Sequence, residues 1–257
     1  MARRDDAAVM ELGRAPDTGS TDQPKAIFAV GRGGRGKTVA YRWMVDRALN
    51  QGRQIIVADA DRTNQTLAAF FGNLVVSPPS AADDDMRPWL DTLLEQAIGH
   101  RKSLIVDLGG GDQLLKHAAL ELDLAGFLAE NGVTPVVLHF VGADSDDLAY
   151  LRETERSGLL APEKTAIVFN AGVVPAGISL DAAWAKHEGD AGLRAAIARG
   201  AQLVRMPRLA CMTLLDDQRL RFTEANGDKL GLTNAQRVFM WLREMERSFE
   251  PIAAWLP

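Results

Sequence analysis

The chain has 257 residues and a hydrophobic content of 47%, enough for one large α/β domain or two small ones. Its net charge of −5 excludes a globally basic nucleic-acid coat protein, so any DNA contact must come from a local patch. The single cysteine, Cys211, excludes an internal disulfide and a cysteine-based zinc site, and no apolar run approaches the roughly 18 residues of a membrane span.

Residues 1–24 are polar, carry Gly, Pro, Ser and Asp, and show no apolar period, which predicts a flexible N-terminal arm. They also lack the apolar core of a secretory signal. Together with the lone cysteine, this favours a cytoplasmic protein. We find no internal repeat and no interdomain linker after the arm, so residues 25–257 are predicted to form one domain.

Short apolar runs alternate with amphipathic stretches along this domain. The runs predict strands over 26–30, 54–60, 103–108, 133–142, 165–170 and 201–206. The amphipathic stretches predict helices over 38–50, 63–72, 86–102, 113–131, 144–160, 179–199, 216–226 and 233–249. Strands separated by helices predict an α/β fold: a single doubly wound, mostly parallel sheet with helices on both faces.

The first strand runs into GRGGRGKT, residues 31–38, which fits the phosphate-binding pattern G-x-x-x-x-G-K-[ST]. Because the pattern follows a strand and opens a helix, it predicts a nucleotide site rather than an ordinary glycine-rich turn. Backbone N–H groups of the loop would cradle phosphates, Lys37 would reach the β- and γ-phosphates, and Thr38 would ligate Mg²⁺. The predicted nucleotide-binding residues here are Gly31, Gly33, Gly34, Arg35, Gly36, Lys37, Thr38 and Val39.

Two further carboxylate motifs follow the next strands. Asp59 and Asp61 close the second strand, where one could orient the attacking water and the other hold Mg²⁺ through a water molecule. The alternative is an N-cap for the following helix. Asp107 ends the strand over 103–108 and precedes three glycines, which is the Walker B pattern of a Mg²⁺ site; the alternative is a simple tight turn. Asn170 ends a later strand with an amide that can contact a purine edge, although Asn is also a common turn residue.

Together these motifs resemble the ParA/MinD branch of P-loop ATPases, the SIMIBI proteins with the deviant Walker A motif K-G-G-x-G-K-[ST]. Residues 32–38 stand in place of that motif, and the resemblance spans about residues 25–247. The family's D-x-D pair, Walker B acid, late Asn and adenine-side Pro match Asp59, Asp61, Asp107, Asn170 and Pro207. The resemblance implies ATP and Mg²⁺ as cofactors, with Thr38, Asp61 and Asp107 around the metal.

The resemblance also implies a homodimer that sandwiches two ATP molecules, with the first lysine of the loop crossing to the partner's phosphates. Arg32 occupies that position and keeps its charge, so the implied catalytic residues are Lys37, Asp59, Asp61 and Arg32. Arg35 falls at the variable position of the motif, where we expect its side chain to face solvent. The glycines after Asp107 replace the family's Pro-containing switch, so the coupling of hydrolysis to that switch is expected to differ.

The family implies a surface to bind and a small activating partner protein. A run of arginines with a local charge of +4 could contact DNA non-specifically, the alternative being a solvated or ion-paired face: Arg194, Arg199, Arg205, Arg208, Arg219 and Arg221. The last helix, 233–249, has a mixed rather than basic polar face, which favours packing on the sheet over membrane binding.

These features predict a weak, partner-stimulated ATPase for plasmid partition, conjugative transfer or cargo positioning, in the style of short ParA, StbB or TraL proteins. One alternative is an ATP-dependent ligase resembling dethiobiotin or cobyrinate amide synthetases. A third possibility is a nucleotide-gated adaptor that hydrolyses little ATP, which the substitution of Arg32 for lysine favours.

Overall fold

The computed structural model describes residues 23–61, 66–80, 82–108 and 113–257, so the first 22 residues of the predicted arm lie outside the described part. A seven-stranded sheet runs through this part in the order β3-β2-β4-β1-β5-β6-β7. Every paired neighbour is parallel. The strands are β1 Lys25–Val30, β2 Ile55–Asp59, β3 Val75–Val76, β4 Ser103–Asp107, β5 Thr134–Val141, β6 Lys164–Asn170 and β7 Gln202–Met206.

Helices connect successive strands, and with the parallel sheet they confirm the predicted α/β fold. Their bounds are α1 Lys37–Asn50, α2 Thr66–Phe71, α3 Asp83–Gly99, α4 Gln113–Leu122, α5 Leu124–Glu130, α6 Ala149–Ser157, α7 Leu180–Ala185, α8 Ala191–Ala198, α9 Met212–Asp217, α10 Gly227–Leu230 and α11 Leu232–Phe249. Among the described residues, no helix is both long and apolar enough to cross a membrane.

Alternate residues of the central strands fill cores on opposite faces of the sheet, as the period of a strand requires. On one face, Ile27 of β1 packs in a cluster with Trp43 of α1 and Trp241 of α11. On the other face, Phe28 packs in a cluster with Leu93 of α3. All six residues of β1 are buried, which explains why this strand appears in the sequence as an uninterrupted apolar run.

Some helix predictions are wrong in extent. The helix predicted over 113–131 breaks at Asp123, whose φ of 47° is left-handed, into α4 and α5. The helix predicted over 179–199 is also two helices, because the Asp190 side chain accepts a hydrogen bond from Leu193 N and begins α8 there. A left-handed residue in one segment and a side-chain cap in the other therefore interrupt helices whose apolar pattern is continuous in the sequence.

The helix predicted over 216–226 is wrong, since α9 ends at Asp217 and only a short 3-10 turn, Phe222–Glu224, follows. The buried carboxylate of Asp46 accepts hydrogen bonds from the backbone N–H groups of Phe222 and Thr223, 2.9 and 3.4 Å away. This long-range contact fixes the turn, and it cannot be predicted from the residues around the turn.

The order of strands places a crevice above β1. From β1 the chain moves to one side of the sheet through β2 and later crosses to the other side through β5. In an open parallel sheet, ligands bind at the carboxyl ends of the strands at such a switch point. The glycine-rich loop begins directly after Val30, so it lies at that point.

Candidate nucleotide-binding site

Two glycines fix the path of the loop between β1 and α1. Gly31 has a φ of 122°, and a Cβ added there would lie 2.6 Å from the carbonyl oxygen of Phe140 in β5. Gly36 has a φ of 93°, and its Cβ would lie 2.2 Å from Nδ2 of Asn170 in β6. Both distances are shorter than real Cβ contacts, so the loop fits against β5 and β6 only with glycine at these positions.

Lys37 begins α1 and its side chain folds back under the loop. Its Nζ donates hydrogen bonds to the carbonyl oxygens of Gly31 at 2.6 Å and Arg32 at 3.2 Å, and the residue is 5% exposed. A positive charge therefore lies at the N-terminus of α1, where the helix dipole already favours an anion.

Thr38 and Asp107 bring together the two motifs predicted to hold magnesium. Thr38 Oγ1 donates to Asp107 Oδ2 over 2.6 Å, and Asp107 is 1% exposed at the end of β4. Hydroxyl and carboxylate oxygens suit Mg²⁺, which usually takes one or two such protein ligands and completes its shell with water and phosphate oxygens. The described residues contain no cluster of three or more His, Cys, Asp or Glu that could hold a metal.

The two aspartates that follow β2 lie in different surroundings. Asp59 is 1% exposed and accepts backbone hydrogen bonds from Asp61 at 3.0 Å, Leu67 at 2.9 Å and Ala68 at 3.4 Å. Burial, reinforced by the nearby charge of Asp107, raises the pKa of Asp59 to about 6 despite these bonds. Asp59 thus holds the turn into α2, and Asp61 is the member of the pair that lines the cleft.

Arg35 corrects the expectation of a solvent-facing side chain. Its Nε donates to Asp147 Oδ1 and one of its terminal nitrogens donates to Asp144 Oδ2, both over 2.7 Å. Only 18% of the side chain is exposed. Arg32 lies further out, 51% exposed, with a terminal nitrogen 3.5 Å from Asp147 and 3.8 Å from Asp144. The two loop arginines therefore share two carboxylates from the segment after β5.

Asn170 supports the loop from the other side. Its Nδ2 donates to the Arg35 carbonyl oxygen at 2.9 Å, and its Oδ1 accepts from Gly172 N at 2.7 Å. Both polar atoms of this amide therefore already make hydrogen bonds within the chain, and the predicted contact with a purine edge would be made in addition to them. Two predicted segments lie outside the described residues: 62–65, and 109–112 with the three glycines after Asp107.

A cleft of about 570 Å³ joins these residues into one site. It brings together the predicted residues 33–39, Asp61, Asp107, Asn170 and Pro207, whereas Gly31, Arg32 and Asp59 do not line it. Sequence reasoning missed six further residues that line the cleft: Gly172, Val173, Met206, Arg208, Leu209 and Met212. Their signal was their position directly after β6 and β7, at the same edge of the sheet.

The predicted DNA-contacting arginines are largely engaged within the chain. Arg199 pairs with Glu155 at 2.6 Å and Arg205 pairs with Asp181 at 3.2 Å. Arg208 donates to the carbonyl oxygens of Ala171 and Val174, and the Arg221 guanidinium lies 3.7 Å from Glu224. Three of the six arginines are therefore ion-paired, and Arg208 is hydrogen-bonded to backbone carbonyl groups.

Comparison with known proteins finds a family model and solved structures that resemble the chain. The family model described as Zeta toxin matches residues 11–113, less than half of the chain. The solved structure of the MinD cell division protein of Aquifex aeolicus has a TM-score of 0.47 and 12% sequence identity, over 87% of this chain and 97% of that one. No curated protein matches the chain.

The chain has the fold of a P-loop nucleotide-binding protein. This conclusion rests on its own geometry: an all-parallel sheet with β1 between β4 and β5, the glycine loop between β1 and α1, and the paired Thr38 and Asp107. Proteins of this fold hydrolyse nucleotides or transfer phosphoryl groups, with Mg²⁺ as the usual metal.

Proposed function

We propose that the chain is a slow, Mg²⁺-dependent ATPase of the ParA/MinD type that dimerises around ATP and acts in DNA partition, conjugative transfer or cargo positioning. The observation that carries the proposal is the 2.6 Å contact of Thr38 with Asp107 beside Lys37, at the N-terminus of α1. This arrangement supplies a phosphate cradle and two metal-ligating oxygens in one place.

In this proposal the chain's own residues bind and orient ATP. N–H groups of the loop would donate hydrogen bonds to phosphate oxygens, and the Lys37 ammonium would exchange a loop carbonyl oxygen for a phosphate oxygen. Thr38 and Asp107 would hold Mg²⁺, which neutralises charge on the phosphates. Met206, Pro207 and Met212 line the cleft and would offer apolar surface to the base.

Asp61 is the proposed water-positioning residue, because it is the carboxylate after β2 that lines the cleft. Asp59 supports it from behind by accepting the Asp61 N–H at 3.0 Å. Orientation of the attacking water is the main task left to the protein in phosphoryl transfer, since charge stabilisation comes from the metal, the lysine and the loop.

Arg32 is the proposed contact across the dimer. Half of its side chain is exposed, and its ion pairs with Asp144 and Asp147 are long, 3.8 and 3.5 Å. Pairs of this length on an exposed side chain contribute little to stability, so the guanidinium can exchange them for a partner's phosphate oxygens. A small activating protein and non-specific DNA remain the proposed partners, with Arg194 and Arg219 as the arginines of the patch left for phosphate contact.

A second candidate is phosphoryl transfer from ATP to an acceptor hydroxyl instead of water. The Zeta toxin model covers the loop and all three carboxylates, Asp59, Asp61 and Asp107, and so supports the phosphate machinery without indicating the acceptor. In this reaction Asp61 would accept the proton of the acceptor hydroxyl.

The proposal is tested by phosphate release from ATP with Mg²⁺, with and without DNA, at low and at moderate salt. We expect slow turnover that DNA or a partner raises, with stimulation by DNA weakening steeply as salt rises. In parallel, light scattering with a slowly hydrolysed ATP analogue should detect dimers that Arg32→Ala reduces and Arg156→Ala, an exposed arginine of α6, leaves unchanged. ATP consumption without phosphate release would favour the acceptor reaction, and no nucleotide binding at all would overturn both candidates.

A further inference from the structure

We propose that Arg35 is a positioning residue that holds the phosphate loop in its binding shape from behind, through Asp144 and Asp147, and that it never contacts phosphate itself. The inference rests on the proposed function for the identity of the nucleotide. The claim that Arg35 holds the shape of the loop does not depend on that function. An arginine inside a phosphate loop would ordinarily be expected to bind the phosphates directly. Direct phosphate binding and support of the loop predict opposite effects of Asp147→Asn on ATP affinity.

The guanidinium of Arg35 is occupied on two edges. Its Nε and one terminal nitrogen each make a 2.7 Å charge-assisted hydrogen bond, to Asp147 and Asp144 respectively. Charge-assisted hydrogen bonds are about twice as strong as neutral ones, and this side chain is four-fifths buried. Turning Arg35 towards a phosphate would break both bonds and leave the buried Asp147 without its closest cation.

Asp147 is a fixed support and not a mobile counter-ion. Its side chain is fully buried, and its second oxygen accepts a hydrogen bond from Gly142 N over 2.8 Å. The carbonyl oxygen of Gly142 accepts in turn from His187 Nε2 over 2.7 Å. A Cβ at Gly142 would lie 2.9 Å from Asp147 Oδ2 and 3.4 Å from Arg35 Cδ, so the contact is closely packed.

The backbone of Arg35 is held as firmly as its side chain. Its carbonyl oxygen accepts from Asn170 Nδ2 over 2.9 Å, and the next residue, Gly36, lies against the same amide. The residue is therefore tied to β6 through its backbone and to the segment after β5 through its side chain. These ties fix the peptide that leads into Lys37, whose N–H faces the phosphate cradle.

Arg35 and Arg32 differ in how closely Asp144 and Asp147 neutralise their charges. Asp144 and Asp147 together neutralise two cations, and the short bonds go to Arg35 while Arg32 keeps only the contacts of 3.5 and 3.8 Å. Arg35 therefore adds little net attraction for an anion. Arg32 is the arginine of the loop that can move to a phosphate without exposing a buried carboxylate.

The first arm of the test needs no nucleotide. Hydrogen–deuterium exchange of the loop amides, residues 31–38, is compared in the nucleotide-free wild type, Arg35→Gln, Arg35→Lys and Asp147→Asn. We expect roughly ten-fold faster exchange in the loop for Asp147→Asn, the factor for one charge-assisted hydrogen bond, and more than ten-fold for Arg35→Gln, which loses both bonds. Arg35→Lys, which keeps one of the two bonds, should fall between, and Arg156→Gln is the matched control. Equal exchange in wild type and Arg35→Gln would overturn the inference, whether or not the protein binds ATP.

The second arm distinguishes support of the loop from direct phosphate contact by the direction in which Asp147→Asn changes ATP affinity. If Arg35 supports the loop, Arg35→Gln and Asp147→Asn both raise the KM for ATP roughly ten-fold with kcat nearly unchanged, and the double variant is no worse than either single one. If Arg35 is a phosphate ligand restrained by Asp147, Asp147→Asn tightens ATP binding, which would overturn the inference. Failure of the wild type to bind ATP would overturn the proposed function, and the exchange experiment would still decide the role of Arg35 in the loop.

Discussion

Gly36→Ala is the substitution that tests the geometry of the loop most sharply. The φ of Gly36 is 93°, a conformation that costs an L-residue about 1–2 kcal/mol. The added Cβ would also lie 2.2 Å from Asn170 Nδ2, and Asn170 has to move to admit it. That movement gives up the hydrogen bond to the Arg35 carbonyl oxygen, worth about 1 kcal/mol.

The sum predicts that Gly36→Ala lowers the free energy of unfolding by about 2–3 kcal/mol, or the Tm by roughly 4–12 °C for a chain of this size. Two neighbouring glycines provide graded controls. Gly34 has a φ of 73° and no atom within 4 Å of an added Cβ, so Gly34→Ala should cost only the backbone strain, about 1 kcal/mol. Gly33 has neither feature, and Gly33→Ala should be neutral or slightly stabilising.

The assay is urea unfolding monitored by circular dichroism. The protein is kept free of nucleotide, because these glycines belong to the phosphate loop and bound nucleotide would add its own effect on stability. The predicted order of stability is Gly33→Ala, then Gly34→Ala, then Gly36→Ala. Equal stability of Gly36→Ala and Gly33→Ala would show that the loop does not lie against Asn170 as described.

Three further predictions follow from the site and the core. Asp61→Ala should leave ATP affinity unchanged and slow hydrolysis roughly 100-fold, the usual contribution of a positioned carboxylate; an unaltered rate would remove Asp61 from the mechanism. The raised pKa of Asp59, about 6 against an ordinary 3.8, means that the folded chain keeps a proton which the unfolded chain loses, so stability should fall as pH rises through this window, by about 3 kcal/mol from this residue. Urea titrations at several pH values should show a flatter profile for Asp59→Asn, and identical profiles would contradict the assignment. Arg42 of α1 lies between Phe70, 3.4 Å from the ring centroid, and Phe222, and its terminal nitrogen is 2.5 Å from Asp216. Arg42→Ala should cost about 3 kcal/mol of stability and Arg42→Met clearly less, because methionine keeps the buried stem; equal losses would mean that the cation and not the packing dominates.

Much of the fold could be predicted from the sequence because the buried parallel strands are uninterrupted apolar runs. β1, β4, β5, β6 and β7 were all predicted to within a residue or two at each end. The breaks at Asp123 and Asp190 were missed, since each depends on a single residue inside a continuous apolar period. The edge strand β3 has two residues, Val75 and Val76, and carries no periodic signal at all.

The candidate site was predictable where the motif itself fixes the chemistry. Lys37, Thr38 and Asp107 lie together as their spacing between strand, loop and helix indicated. The role of Arg35 was not predictable, because its partners, Asp144 and Asp147, lie more than a hundred residues away. The same holds for the Asn170 amide, whose contact with the loop depends on the register of β6 in the sheet.

Calorimetric titration of Mg²⁺-ATP into the wild type and into Lys37→Ala tests the central claim most directly. We expect one binding site per chain in the wild type and none detectable in Lys37→Ala, because this variant loses the ammonium group that the loop carbonyl groups hold beside the phosphate cradle. Equal affinity of the two proteins for ATP would contradict the assignment of this cleft as the nucleotide site.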